Sequence, residues 1–340
     1  MIQNKTSLAI DQLITRSKHI LIIQAENPDG DSLGSVLGLE QILGDKNKEI
    51  SLYCAIDIPE YLRYFEGWSR VEKDVISDFD LSIIVDTSSI ALLQKTNHNL
   101  LKAINNKPLI IIDHHQNKPD IEAKETILAI DPSAAATTQI IYEIANYLKY
   151  PINKEAAHVL AFGILSDTLG LTTPSTTSST IRTLASLVDL GANLTKLDSD
   201  RKLSYQKSLK LLKYKGDLLK RIETYLEDQI AIITIPWSEI KEYSPIYNPP
   251  MLIMEDMRLI INNKVSIAFK VYDDQKITAK IRSNPNFPYA NQLATEFGGG
   301  GHKFASGFKT TQYKDLEQLK SLVISKTQAL LNKPPVDENI

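Results

Sequence analysis

The chain has 340 residues, and at roughly 100–200 residues per domain this length favours two domains. Hydrophobic residues make up 43% and charged residues 23%, enough to bury a core in each half, which excludes global disorder. Lys and Arg total 38 against 41 Asp and Glu, a net charge of −3; this excludes a binder that holds nucleic acid by bulk positive charge and leaves open an enzyme that grips a few phosphates.

The N-terminus, MIQNKTSLAIDQLI, has no basic segment followed by an apolar stretch, so no signal peptide is expected. No apolar run in the chain approaches the ~18 residues of a membrane span, and the expectation is a soluble, cytoplasmic protein. Helical spacing covers Ser7 to Lys18, followed by a buried strand, His19 to Gln24. Asp31 to Asp45 returns to helical period and Glu49 to Ala55 reads as a second strand. The one cysteine, Cys54, rules out an internal disulfide and a cysteine zinc cage, and within SLYCAI it reads as a small core residue. The continuous apolar runs LSIIV before Asp86 and PLIII before Asp113 read as central strands of a parallel sheet. Helices follow over Ala134–Leu148 and Asn153–Leu165. This alternation predicts an α/β domain with a mostly parallel sheet, whose ligands sit outside the carboxyl ends of the strands.

From about Asn193 to Glu227 there is no strand signal, and the Leu- and Lys-rich segment reads as a linking helix or helix pair. Its eight basic residues between Arg201 and Arg221 read as a solvated face more readily than as a nucleic-acid track. Gln229–Ile235, Val265–Tyr272 and Lys276–Arg282 are strand-like, the last two joined by a turn at Asp273–Asp274. A glycine-rich stretch and a helix over Tyr313–Leu331 complete a smaller α+β domain, and the tail KPPVDENI is expected to fray. The expected division is a first domain over 1–192, a helical linker over 193–228 and a second domain over 229–340, with a cleft between the domains.

The residues that could carry chemistry fall at the ends of these elements. In QAENPDGDSLGS a strand enters a tight turn that opens a helix. Locally, Asp31 or Ser32 is a helix cap and Gly30 supplies the turn; alternatively, Asp29 and Asp31 aim their carboxylates at two neighbouring metal ions. Asp86 ends a strand, where a cap is the commoner role. Asp113-His114-His115 ends the next strand, where one imidazole could bind metal, its neighbour touch substrate, and Asp113 orient a ring. Asp167 closes an apolar helical segment. In FGGGGHKFASGF four successive glycines cannot form a helix or strand interior; they read as a turn, or as a loop whose amides approach a phosphate beside His302. Arg282, ending the strand KITAKIRS, is a natural fork for phosphate oxygens and equally an ordinary surface arginine. His19, His98 and His158 read as structural.

Taken in order, PDGD, the Asp after an apolar strand, DHH, SDT and GGGGH resemble the DHH phosphoesterase superfamily with a C-terminal DHHA1 domain, from about residue 18 to 310. The compact two-domain layout is similar to the bacterial oligoribonuclease/pAp-phosphatase (nanoRNase) group, which degrades very short RNAs and removes a phosphate from 3′,5′-bisphosphate adenosine. The resemblance implies a DHH catalytic domain, a DHHA1 substrate-binding domain and a phosphoric ester hydrolase using two metal ions. One ion would be held by Asp29 and Asp86, the other by Asp31, Asp86, His114 and Asp167, with Asp86 bridging. His115 would face the scissile phosphate, with Asp113 behind it. Arg282, Gly299, Gly300, Gly301 and His302 would bind the remote phosphate or terminal nucleotide. Mn²⁺ is the expected ion because mixed carboxylate and imidazole donors suit it, with Mg²⁺ or Co²⁺ also compatible. The implied partners are short oligonucleotides or nucleoside bisphosphates; no membrane or protein partner is indicated, and a homodimer is left open.

The chain departs from the family pattern at one position. The first motif of the family begins with a histidine four residues before the first Asp of PDGD, and here that residue is Ala25. A methyl group cannot ligate a metal, and strand alternation points Gln24 and Glu26 away; only an irregular strand end would bring Glu26 or Asn27 in. Two alternatives to the oligonucleotide hydrolase therefore stand: a nucleotide-binding protein weakened in turnover by Ala25, and a cyclic or linear dinucleotide phosphodiesterase.

Overall fold

The computed structural model describes residues 2, 4–75, 78–116, 118–313 and 315–332. The chain divides into two compact units, Met1–Gln206 and Lys207–Ile340. The first holds strands β1 (His19–Gln24), β2 (Glu49–Tyr53), β3 (Val71–Glu72), β4 (Leu81–Val85), β5 (Pro108–Asp113) and β6 (Glu125–Ile130). Its helices are α1 (Asn4–Arg16), α2 (Gly30–Gly44), α3 (His98–Asn105), α4 (Thr137–Tyr147), α5 (Lys154–Asp167), α6 (Ser178–Asp189) and α7 (Leu194–Ser204). All six strands run parallel in the order β3-β2-β1-β4-β5-β6. The central strands are apolar along their whole length because both faces are covered. Ile20, Ile22, Ile83 and Ile110 pack with residues of α1, α2, α4 and α5, while Leu21, Ile23, Ile84 and Ile111 pack with Leu100 and Ile104 of α3. Cys54 is fully buried in the first of these cores.

The second unit is a mixed sheet of β7 (Glu223–Tyr225), β8 (Ile230–Ile235), β9 (Val265–Val271), β10 (Ile277–Ser283), β11 (Gly300–His302) and β12 (Ala305–Thr310), in the order β11-β12-β10-β9-β8-β7. Only the β8–β9 pair is parallel. Its helices are α8 (Leu209–Lys220), α9 (Trp237–Tyr243), α10 (Pro249–Arg258), α11 (Ala290–Thr295) and α12 (Leu316–Leu331). One sheet face packs Ile267, Phe269, Ala279, Ile281 and Phe308 against Leu293 of α11 and Leu319 and Val323 of α12. The other buries Ala231, Ile233 and Ala268 against Leu211 and Leu218 of α8, Ile240 of α9 and Ile253 and Met257 of α10.

The α/β reading and the β1, β4 and β5 strands hold. β6 was not anticipated from its sequence because, paired on one side only, it is half exposed and carries no continuous apolar run. The segment read as free of strands contains β7, three residues long and too short to show a period. The basic stretch is divided between the units, Leu197 of α7 lying in the core of the first and Leu211 of α8 in a core of the second. Its cations are largely paired, Arg201 and Lys202 with Asp198, Lys210 with Glu242, Lys215 with Asp256 and Arg221 with Glu239, in keeping with a solvated face. The tail KPPVDENI lies outside the described residues. Among the described residues no helix is long and apolar enough to cross a membrane.

Candidate active site

The register of the first sheet aligns Gln24 with Val85 and Val85 with Ile112. The PDGD turn, Asp86 and the Asp113-His114-His115 run therefore leave β1, β4 and β5 at one level. The strand order reverses between β1 and β4, so these ends flank the crevice that parallel α/β sheets use for ligands.

Four carboxylates and two imidazoles converge there. Asp29, not Asp31 or Ser32, caps α2: its Oδ1 accepts from the Asp31 amide at 3.1 Å and the Ser32 amide at 2.9 Å, and Ser32 Oγ accepts from the Asp29 amide at 3.0 Å. This capping box fixes the turn. Asp31, fully buried, accepts from the Thr137 amide at 2.6 Å, the Thr138 amide at 3.0 Å and Thr138 Oγ1 at 2.6 Å. These are the first amides of α4, the positive end of a helix. Burial nonetheless raises the Asp31 pKa, against the opposing pull of His114 and Thr138. Asp86 adopts φ 59°, a left-handed conformation that Asp tolerates better than most residues. Its amide donates to Ile112 O at 2.9 Å and its Oδ1 accepts from Thr137 Oγ1 at 3.0 Å. Burial pushes its carboxyl well above the ordinary range, and the charges of Asp31, Asp29 and Asp167 add to this. Asp167, the last residue of α5, is pushed up to about 7 by burial and by Asp31 and Asp29.

His114 sits among them, its Nε2 3.3 Å from Asp167 Oδ2, 3.5 Å from Asp86 Oδ1 and 3.9 Å from Asp31 Oδ2. His115 Nδ1 is 2.7 Å from Asp113 Oδ1, which also accepts the His115 amide at 3.1 Å. That contact raises the imidazole pKa over the opposing effect of burial. Burial would raise Asp113, but the bonds from His115 outweigh it and its carboxyl lies low. Ligand atoms of Asp31, His114 and Asp167 lie within 4.8 Å of one another, as do those of Asp86, His114 and His115. Asp31, Asp86 and Asp167, mutually repelling and each disfavoured as an anion, form with His114 a donor set that a divalent cation would neutralise. Asp29 is in neither group, yet its charge is felt at Asp31, Asp86 and Asp167.

The sequence reading missed Thr137 and Thr138. Their signal, a Thr pair opening a helix after a run of alanines, marks a helix start and nothing of its distant partner Asp31. Ala25 is buried at the end of β1, where its carbonyl accepts from Cys54 Sγ at 3.4 Å. Glu26 does not turn in beside it: its carboxylate accepts the amides of Lys95 and Thr96. Asn27 is exposed.

In the second unit, Arg282 and His302 each stand opposite Ala305, on its two sides, so the three form one row across β10, β12 and β11. Arg282 is half-buried, and its Nη1 donates to Ile281 O at 3.1 Å. The glycine run corrects the reading that it could not be strand: Gly300 and Gly301 begin β11. Two of its members are required sterically. A Cβ on Gly299 would stand 2.2 Å from Gly307 O, and Gly301 combines φ 140° with a Cβ position 2.6 Å from Ala305 O. Gly300 has no such neighbour.

Residues 19–164 match the DHH family, N-terminal domain, and residues 252–329 match the DHHA1 domain. The chain belongs to the DHH–DHHA1 family, a class of metal-dependent phosphoesterases. Among curated relatives, it is 24% identical over 306 residues to the bifunctional oligoribonuclease and PAP phosphatase NrnA of Bacillus subtilis, covering 88% of this chain and 92% of that one. It is 25% identical over 297 residues to the cyclic-di-AMP phosphodiesterase GdpP of the same organism, covering 82% of this chain and 43% of GdpP. The crystal structure of an exopolyphosphatase-related protein from Bacteroides fragilis shares the fold, with a TM-score of 0.78, 22% identity and coverage of 98% and 99% of the two chains.

Proposed function

We propose that the protein hydrolyses short oligonucleotides and nucleoside 3′,5′-bisphosphates such as pAp. The observation that carries this reading is the cluster of Asp31, Asp86, His114 and Asp167 at the strand ends of a chain that aligns with an oligoribonuclease and PAP phosphatase over nearly its whole length. Asp29, Asp31, Asp86, His114 and Asp167 are the residues that would hold two divalent ions, with Mn²⁺ expected. Such ions supply Lewis acidity and an acidified water for in-line attack. The remaining work falls to the chain itself. Thr137 and the α4 amides hold Asp86 and Asp31 in place. Asp113 fixes the His115 ring through Nδ1 and favours its protonated form, so Nε2–H is available to a phosphoryl or leaving-group oxygen.

The test is elemental analysis combined with Mn²⁺-dependent assays on a diribonucleotide, pAp and cyclic di-AMP. Two ions per chain with turnover of the first two substrates is expected. The match to GdpP favours a second reading, and turnover confined to cyclic di-AMP would establish it in place of ours. Nucleotide binding with no turnover of any of them would mark a weakened binder.

Ala25 makes a sharper prediction. If position 25 corresponds to the family's histidine, Glu26, committed to the 95–96 amides, does not stand in for it, and the first ion would have one protein donor fewer. Ala25→His is therefore expected to lower the Mn²⁺ concentration for half-maximal rate by about tenfold or more, taking the smaller effect of losing a ligand's supporting partner as a floor. Titrating both activity and heat of binding against Mn²⁺ checks it. An unshifted titration would mean that Ala25 is not a vacated ligand position.

Arg282 tests substrate binding apart from metal binding. Arg282→Ala should leave metal content unchanged and lower kcat/KM by about 1.5–3 kcal/mol, the value of a charged hydrogen bond. Wild-type kinetics would reduce Arg282 to a surface residue.

A further inference from the structure

On the sheet face that carries Arg282 and His302, the helices α8–α10 cover β8 and part of β9. α10 also reaches β10, where its Met251 meets Lys280, and β10 alternates buried Ile277, Ala279 and Ile281 with half-exposed Thr278, Lys280 and Arg282. The register gives Lys280 an unusual setting. It stands opposite Ala268 on β9 and Gly307 on β12, and Gly307 in turn stands opposite Gly300 on β11. No bulky side chain flanks it within its row. Thr278, two residues away, stands opposite Lys270 on one side and Lys309 on the other. Lys280 is therefore a same-face diagonal neighbour of both lysines, about 7–8 Å away between backbones, and has Arg282 two residues further along its own strand.

Four cations thus share one patch, and no hydrogen bond or ion pair of theirs among the described residues reaches a carboxylate. Lys280 Nζ lies 3.4 Å from Met251 Sδ, Lys270 Nζ 3.5 Å from Ser244 Oγ, and Arg282 bonds a main-chain carbonyl. The acidic residues of the helices alongside are engaged elsewhere: Glu239 with Arg221, Glu242 with Lys210, Glu255 with Arg258 and Asp256 with Lys215. Elsewhere in the unit lysines find partners, as Lys320 does with Glu223 and Lys326 with Glu296. Burial lowers the pKa of Lys280 and of Lys270, and the charge of Arg282 on the first and of Lys280 on the second adds to it. Grouping half-buried like charges without counter-charge costs stability in the free protein, and an anion relieves it.

We propose that Lys280, with Lys270 and Lys309 around it, extends the Arg282–His302 row into a track for consecutive phosphates of a short single-stranded oligonucleotide. The glycines at 300 and 307 keep the ground beside Lys280 open to a sugar-phosphate backbone. The polyanion's identity as an oligonucleotide rests on the phosphoesterase reading; the track itself does not. The track selects for substrates with more than one phosphodiester or terminal phosphate, and Lys280 is a specificity-determining residue.

Two measurements on the full chain test this. In chelator, where no hydrolysis occurs, calorimetric titration with inorganic tripolyphosphate should show binding that Lys280→Gln weakens about tenfold, that Lys280→Arg largely retains, and that the control Lys326→Gln leaves alone. With Mn²⁺, Lys280→Gln should raise KM for a 5′-phosphorylated trinucleotide more than for a dinucleotide, and the slope of log KM against log salt should fall by about 0.7, the change expected when one fewer phosphate is neutralised. Equal tripolyphosphate binding by wild type and Lys280→Gln overturns the track whether or not the protein is a phosphoesterase. Weakened tripolyphosphate binding by Lys280→Gln in a protein that cleaves no oligonucleotide keeps the track and overturns the proposed function. Identical KM values for the trinucleotide in a functioning enzyme overturn the assignment of oligonucleotide to the track.

Discussion

Asp86→Asn is expected to abolish metal-dependent hydrolysis while leaving the fold intact. Asparagine is the informative replacement for two reasons. Residue 86 sits at φ 59°, where an ordinary L-residue pays about 1–2 kcal/mol and asparagine pays less, so Asp86→Ala would mix backbone strain with the removal of charge. The amide oxygen can also keep the 3.0 Å bond from Thr137 Oγ1. Asp86 is the carboxylate proposed to serve both ions, and even removing a partner that merely supports a ligand costs about 10–100-fold. The loss here should exceed that, with Mn²⁺ no longer raising the Tm by the wild-type amount. In chelator the sign reverses: Asp86 is buried beside Asp31 and Asp167 without a cation, so the neutral amide should match or raise the wild-type Tm. Activity within tenfold of wild type, with an unchanged Mn²⁺ shift in Tm, would rule out Asp86 as the shared ligand. Asp86→Ala should show the same loss of hydrolysis and a lower Tm in chelator than Asp86→Asn.

The site was legible in the sequence where one physical cause governed one stretch. Central strands buried on both faces must be apolar throughout, so β1, β4 and β5 stand out, and a charged residue directly after such a run marks the strand's carboxyl end. That is why Asp86, Asp113, His114 and His115 could be placed at strand ends, and Asp29 and Asp31 at a turn that opens a helix; joining them into one ligand set took the resemblance to the DHH family. What could not be read is what depends on a second element. The capping role falls to Asp29 because α2 starts at Gly30, while Asp31 turns away to the first amides of α4 more than a hundred residues on. Thr137 and Thr138 look like any helix opening. The glycine run misled for a related reason. Single-chain propensity argues against a strand at Gly300–Gly301, and the close approach of β12, which excludes a Cβ at 299 and 301, overrides it. Strand alternation, or its failure at an irregular strand end, says where Glu26 can point but not that a loop 69–70 residues away claims its carboxylate at Lys95 and Thr96.

The same dependence on a second element makes Gly163 the position where one methyl group should do the most damage. Glycine inside a helix ordinarily costs about 0.8–1 kcal/mol relative to alanine, so Gly→Ala in α8, at Gly216, where no atom lies within 4 Å of the new Cβ, should stabilise the protein by up to about 1 kcal/mol. Gly163, in α5, should behave in the opposite sense. A Cβ there would stand 2.4 Å from Thr138 Cγ2, 2.5 Å from Thr138 Oγ1 and 2.9 Å from Asp31 Oδ1. Neither neighbour can yield freely, since both are fully buried and bonded to each other at 2.6 Å. Overpacking of this kind costs about 1–3 kcal/mol, which outweighs the helix-propensity gain. The displaced group is the carboxylate of a proposed ligand, and a shift of about 1 Å in catalytic geometry can cost about a hundredfold in rate. Gly163→Ala should therefore lower both the Tm and kcat, with weaker Mn²⁺ binding. Thr138→Ala in the same chain removes the two closest atoms and should recover stability but not rate, because the hydroxyl that holds Asp31 goes with them. Thermal melts and Mn²⁺ titrations of Gly163→Ala, the double variant and Gly216→Ala separate the two effects. If Gly163→Ala stabilises as Gly216→Ala does, α5 and α4 have room to part, and the close packing of Gly163 on Asp31 and Thr138 is not what holds this ligand in place.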